Sequence, residues 1–271
     1  MRLSIISPVI VCAALAATSH AVIIAEDSFL VGPGDYDTGS SLFGQGPAAT
    51  GFTGDWISAT GTGINPIATG LSYGDLVTSG GAIQTNAGNV RGGRLLSSPV
   101  TSATTGTLYL SFLMDLPSVD GQYKALELHS GGFNDGANRN FRLGNGGGSN
   151  GFSNDNFGAR VAGGTLADLG AGDTATNLFV VRFDLSDQPA SDTVTIYRNP
   201  TDLTAEPALA TATLSGQDIL FDRISVAMFT GVEVTYDEIR LGTTYNSVTP
   251  IPEPASLAFG LVGLLAVRRR R

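Results

Sequence analysis

The chain has 271 residues, 15 Lys and Arg against 24 Asp and Glu, 36 glycines, one cysteine and only 14% charged residues, where an average globular chain carries about 25%. Five of the basic residues are Arg2, Arg268, Arg269, Arg270 and Arg271, and Glu253 is the only acid outside residues 22–250, which leaves ten basic against 23 acidic groups in the middle. A surface that tracks phosphates needs a positive face, so this acidic middle, with Lys124 as its only lysine, excludes nucleic acid as an expected partner.

Met1 and Arg2 precede an apolar run over residues 3–17, and Ser19-His20-Ala21 puts small residues at the last and third-last positions of a cleavage site. Charge, apolar run and small residues in that order predict a secretory signal peptide over residues 1–21, helical in its apolar part and cut after Ala21. Cys12 lies inside this run, after Val11 rather than a small residue, so no lipoprotein anchor is expected. A mature chain without cysteine would be held by core burial or bound ions instead of disulfides.

Residues 22–250 are expected to form one β-sandwich domain. Glycine is about 13% of the chain, nearly twice the usual share of about 7%, without a Gly-X-Y period; it punctuates turns. Glycine-rich stretches at 44–63 and 131–158 predict long loops, where a local function would sit. Over 107–115, Leu108, Leu110, Phe112 and Met114 point one way and Tyr109, Ser111 and Asp115 the other, the period of a strand. Residues 178–185 repeat the alternation, and 193–198, 221–229 and 232–241 continue it, with Asn199-Pro200 as a break. Strands without intervening helices predict an all-β, antiparallel two-sheet jelly-roll sandwich. The order Tyr109-Leu110-Ser111-Phe112, Leu178-Phe179-Val180-Val181-Arg182-Phe183-Asp184, Val194-Thr195-Ile196-Tyr197 and Tyr236-Asp237-Glu238-Ile239-Arg240-Leu241-Gly242 resembles the concanavalin A-like (laminin-G-like) jelly rolls.

At the end, Pro252-Glu253-Pro254 leads into an apolar run over 255–267 and then Arg268 to Arg271. As a short transmembrane helix, thirteen residues at about 1.5 Å each cover about 20 Å of a hydrocarbon core about 30 Å thick, with the arginines snorkelling on the cytoplasmic side. Residues 251–271 resemble the bacterial PEP-CTERM sorting signal, which implies processing by an exosortase-type enzyme. It also implies an exported chain, transiently membrane-anchored through the C-terminal helix, bound for the cell surface or extracellular matrix.

The middle offers sparse chemistry. His129 is the one histidine outside the leader, expected at the surface or at a strand end. A Ser-His-Asp triad would have to use it, and no Gly-x-Ser-x-Gly elbow exists; zinc has one histidine and no cysteine to bind. Jelly-roll glucanases present acids at alternate positions of one strand, a motif absent here, and a regular strand would send the neighbours Asp237 and Glu238 to opposite faces. Asp35, Asp37, Asp135 and Asp155 offer hard oxygen ligands for calcium, although such residues also serve ordinary turns. Trp56, Tyr36, Tyr73 and Tyr123 are the candidate platforms for a sugar ring, with core packing as the alternative. The expectation is a noncatalytic surface or matrix protein contacting polysaccharide. The alternatives are a polysaccharide-active glycoside hydrolase or lyase and a purely structural envelope protein.

Overall fold

The computed structural model describes residues 21–86, 88–133, 138–147, 152, 155–229 and 233–252. Two antiparallel sheets face each other. The first runs β13 (Ala212–Gln217), β12 (Asp192–Arg198), β11 (Asn177–Leu185), β6 (Gly106–Asp115), β15 (Thr235–Gly242), β4 (Ala82–Thr85) and β3 (Ile64–Ile67), with β1 (Ile23–Asp27) also paired to β15. The second runs β10 (Leu166–Ala171), β9 (Asn156–Val161), β8 (Arg139–Asn145), β7 (Tyr123–His129), β14 (Phe221–Phe229), β5 (Val90–Val100) and β2 (Phe52–Thr60).

Alternation decides which residues meet between the sheets. Leu110, Phe112 and Met114 of β6 and Phe179, Val181 and Phe183 of β11 join Leu126 and Leu128 of β7 and Ile224, Val226 and Met228 of β14 in one buried cluster. The opposite face of the first sheet is also covered, because Tyr109, Leu113, Leu178, Val180 and Tyr197 pack under Leu76, Leu203 and a single helical turn, α1 (Tyr245–Val248). Three strands read from alternation in the sequence, β6, β11 and β12, therefore lie side by side in register. The predicted loops at 44–63 and 131–158 contain strands β2 and β8 and the start of β9.

The helices expected at the two ends require a correction. Among the described residues no helix is long and apolar enough to cross a membrane, and α1, with four residues, is the only helix. Past α1 the chain through Ile251 and Pro252 belongs to no helix or strand, and proline cannot continue a helix because it withholds an N–H and fixes φ. A C-terminal transmembrane helix, a membrane partner and a transiently membrane-anchored localisation are thus not features of the described fold, which is all-β. Residues 1–20 and 253–271, including Glu253, Pro254 and Arg268 to Arg271, lie outside the described residues; Ala21 is exposed just before β1.

An irregularity in β15 ties a loop across the first sheet. Register shifts between Asp237 and Arg240, and Glu238 takes a positive φ of 52°, so the two adjacent acids need not diverge. Asp237 Oδ2 accepts from Leu71 N at 2.8 Å, while Glu238 accepts from Ser79 N and is paired with Arg240. Burial, then the neighbouring Glu238 charge, pushes the Asp237 carboxyl up to about 8. Burial also raises Glu238. Between about pH 4 and pH 8 the folded state keeps a proton on Asp237 that the unfolded chain releases, so stability falls as pH rises, by at most about 1.4 kcal/mol per unit for one group. Asp237→Asn is expected to shrink the difference in Tm between pH 5 and pH 8; an unchanged difference would assign that slope to other groups.

Candidate functional site

The outer face of the second sheet gathers charge that the sequence scatters. Residues of β7 alternate, so that Leu126 and Leu128 enter the core while Tyr123, Ala125, Glu127 and His129 point outward. Neighbouring strands bring matching residues alongside: Glu127 pairs with Arg142 of β8 and with Ser225 of β14, Arg142 pairs with Arg160 of β9, and Arg223 of β14 pairs with His129. Seven of the ten basic residues of the middle belong to strands of this one sheet, and the register puts five of them, Arg91, Arg139, Arg142, Arg160 and Arg223, on this face.

Glu127 is the hub, with 0% of its surface exposed. Its Oε1 accepts from Tyr123 Oη at 2.6 Å, Arg139 Nη1 at 2.8 Å and Arg91 Nη2 at 3.1 Å. Its Oε2 accepts from Arg91 Nε at 2.7 Å and His129 Nε2 at 3.0 Å, where the ring nitrogen must be the donor because an ionised carboxylate only accepts. Burial by itself would raise this carboxyl; the His129 hydrogen bond and the charges of Arg91 and Arg139 outweigh it and hold Glu127 well below the ordinary carboxylate range. Five donors fill the roughly four lone-pair sites of a carboxylate.

Aromatic rings line the same face. Phe152 stacks on Tyr123 with centroids 5.6 Å apart, and Tyr123 stacks on Phe229 at 5.2 Å. Guanidinium groups lie over this run of rings: Arg142 over Phe152 at 5.9 Å, Arg139 over Tyr123 at 5.8 Å and Arg91 over Phe229 at 4.8 Å. Arg223 lies over Phe133 at 4.9 Å. Two glycines make room for the rings: a Cβ on Gly158 would stand 3.0 Å from the Phe152 ring, and one on Gly93 would stand 2.8 Å from Phe133 and 2.6 Å from the Ile224 carbonyl.

Arg142 differs from its neighbours. It is 7% exposed, its Nε is buried without a hydrogen-bond partner, and no carboxylate among the described residues pairs with it. Burial first, then the like charges of Arg139 and Arg160, push its guanidinium below the ordinary value. Arg160 donates from Nε to the Gly164 carbonyl at 2.9 Å and likewise faces no carboxylate among the described residues.

Of the candidate sugar platforms singled out in the sequence, Tyr123 belongs to this face, and Trp56, Tyr36 and Tyr73 do not. Trp56 is 1% exposed; its Nε1 donates to Tyr36 Oη at 2.9 Å and to Asp27 Oδ2 at 3.2 Å. Tyr36 is buried beside it and donates to Asp27 at 2.6 Å, with Arg94 3.1 Å from the same carboxylate. Burial raises the Asp27 carboxyl above its ordinary value, against the pull of these donors. Tyr73 is half-buried and donates to the Pro200 carbonyl at 3.2 Å. His129, expected at a surface or strand end, ends β7 but is fully buried.

The four candidate calcium ligands do not converge. Asp35 and Asp37 are exposed, and Asp37 spends its two oxygens on Gly39 N and Ser40 Oγ in its own turn, at 2.9 Å each. Asp155 is exposed in a different loop, and Asp135 lies outside the described residues. No group of three or more His, Cys, Asp or Glu among the described residues is placed to hold a metal ion.

No protein-family model matches the chain, and no curated protein matches it. Among solved structures, it is similar to an endo-1,3-β-glucanase from Streptomyces sioyaensis, at 11% identity over 85% of this chain and 99% of that chain, with a TM-score of 0.46. It is also similar to the binding domain of botulinum neurotoxin serotype D (8% identity, 78% of this chain, TM-score 0.44), of which it spans 50%. A third is the metal-free carbohydrate recognition domain of Emp46p, at 10% identity over 76% of this chain and 97% of that chain, TM-score 0.43. At these identities and TM-scores the likeness assigns no ligand and no activity to this chain.

Proposed function

We propose that the chain is a noncatalytic carbohydrate-binding sandwich whose ligand lies along the outer face of the second sheet. The observation that carries this reading is the band in which Arg142, Arg139 and Arg91 overlie the Phe152, Tyr123 and Phe229 rings. The Phe152 and Tyr123 rings are themselves buried, at 1% and 5% exposed, and hold the guanidinium groups from below; these planar forks supply the fixed polar groups that orient sugar hydroxyls, with little entropy left to lose. Hydrolysis of a glycosidic bond needs two carboxylates, one of them protonated as the acid. Glu127, with its oxygens occupied and its proton held off, is unsuited to that role. Asp222, at the start of β14, is engaged by Arg223 and by Gly131 N.

The test is depletion of the full chain from solution by a panel of insoluble polysaccharides, with calcium and with chelator, while released sugar is followed in the same supernatants. Depletion without release is expected; release of sugar would favour the hydrolase or lyase reading, and no depletion by any polymer would favour a purely structural role. The exosortase part rests on the sequence of residues 251–271 and is tested separately. Joint replacement of Pro252 and Pro254 by alanine should leave an unprocessed C-terminus by mass spectrometry, and normal processing would overturn it.

A further inference from the structure

Arg142 is a buried cation without the usual compensation. An unpaired buried charge costs several kcal/mol, and folded chains rarely keep one without pairing it. The nearest acceptor in register, Glu127 on the neighbouring strand, already receives five donors. On the other side the register places Arg160, a second guanidinium. The shortage is thus built into the sheet pairing: three adjacent strands carry Arg160, Arg142 and Glu127 in one row, with two cations to one saturated anion.

We infer that the ligand carries an oxyanion, a carboxylate or a sulfate ester on its sugar ring, and that Arg142, with Arg160 beside it, receives that group. The inference rests on the proposed binding face and narrows its ligand to acidic glycans. A carboxylate or sulfate presents two oxygens to the guanidinium fork, the geometry in which charge-assisted hydrogen bonds are strongest, and it would supply Nε with the acceptor that the protein withholds. The ring of Phe152 beneath Arg142 keeps the fork oriented before the ligand arrives. In a chain whose middle is strongly acidic, such a site also gives selectivity, because an anionic polymer is repelled elsewhere on the surface and accepted here.

The test compares matched polymers on the full chain: polygalacturonate against its methyl ester, and dextran sulfate against dextran. The parent should bind the charged member of at least one pair about tenfold or more tightly than the neutral member, more weakly as salt rises; which pair shows it separates carboxylate from sulfate. Arg142→Gln should lose about tenfold toward the charged polymer and nothing toward the neutral one, Arg142→Lys should recover part, and Arg160→Gln should lose less. Arg142→Gln should also melt no lower than the parent, since it removes an uncompensated charge; a large fall in Tm would mark a structural role and overturn the inference. Equal binding of charged and neutral polymers by the parent and by Arg142→Gln would overturn it while leaving the binding face intact. If no polymer binds, the proposed function fails and a titration with inorganic sulfate decides the anion site. A rise in Tm in the parent that Arg142→Gln lacks supports the site, and the same response in both overturns it.

Discussion

Glu127→Ala is expected to destabilise the protein by about 3–5 kcal/mol, the cost of breaking a buried charge cluster from one side. At this chain length that corresponds to a fall in Tm on the order of 10 °C. The substitution removes the shared acceptor of Arg91, Arg139, Tyr123 and His129 at once and leaves two guanidinium groups and a phenol facing a small void. Glu127→Gln should recover only part, because an amide nitrogen then faces donors. The pH dependence has a definite sign. The folded carboxyl is held below its ordinary value, so its contribution is complete above the unfolded value of about 4.3 and is lost as pH falls below it. With the opposite slope from Asp237 between about pH 4 and pH 8, these two groups together place the best stability near pH 4–5. Thermal melts of parent and Glu127→Ala across pH 3–8 check both. A variant that melts within 2 °C of the parent at pH 5, by the order-of-magnitude costs above, would show that the cluster contributes nothing net.

Trp56→Ala should cost a similar amount, about 3–5 kcal/mol for a large aromatic removed from a core, and should act on stability rather than on ligand affinity. The indole packs against Phe29 at 5.8 Å and donates to Asp27 and Tyr36, so the truncation opens a cavity and takes one donor from a buried carboxylate. Trp56→Phe keeps most of the volume and loses the N–H, for which about 1–3 kcal/mol is expected. Urea midpoints at unchanged m report both changes. Should Trp56→Ala unfold at the parental urea concentration yet no longer be depleted by a polysaccharide that depletes the parent, the indole would be a ligand platform after all.

Why the proposed binding face escaped the sequence is visible at Arg142. It lies in Asn138-Arg139-Asn140-Phe141-Arg142-Leu143-Gly144-Asn145, a stretch whose Asn and Gly content reads as loop. Only Phe141 and Leu143 hint at a strand, and they do enter the core. Trp56 and Tyr36 illustrate the opposite difficulty: an aromatic among glycines reads equally as platform or core, and the choice turns on whether a distant carboxylate, Asp27, arrives to take the indole and phenol hydrogens. Asp237 and Glu238 would diverge on a regular strand. The irregular register there and the positive φ of Glu238 let both hold the loop that carries Leu71 and Ser79, and a β-bulge of that kind leaves no periodic trace.

By itself the sequence determined that the middle of this protein is all-β, since period-two alternation in β6, β11 and β14 can bury one face only as strands. It also determined that the surface is acidic and that neither a disulfide framework nor a histidine-rich metal site is available. Strand order, register and the burial of each face were decided by tertiary structure alone. Period two says that Glu127 and His129 share a face with Tyr123; it does not say which strands flank them. Pairing β7 with β8 on one side and β14 on the other brought Arg142 and Ser225 alongside Glu127, and the covering rings turned an ordinary row of polar residues into a dry, positively charged band. Such contacts join residues far apart in the chain, and local propensity carries no information about them.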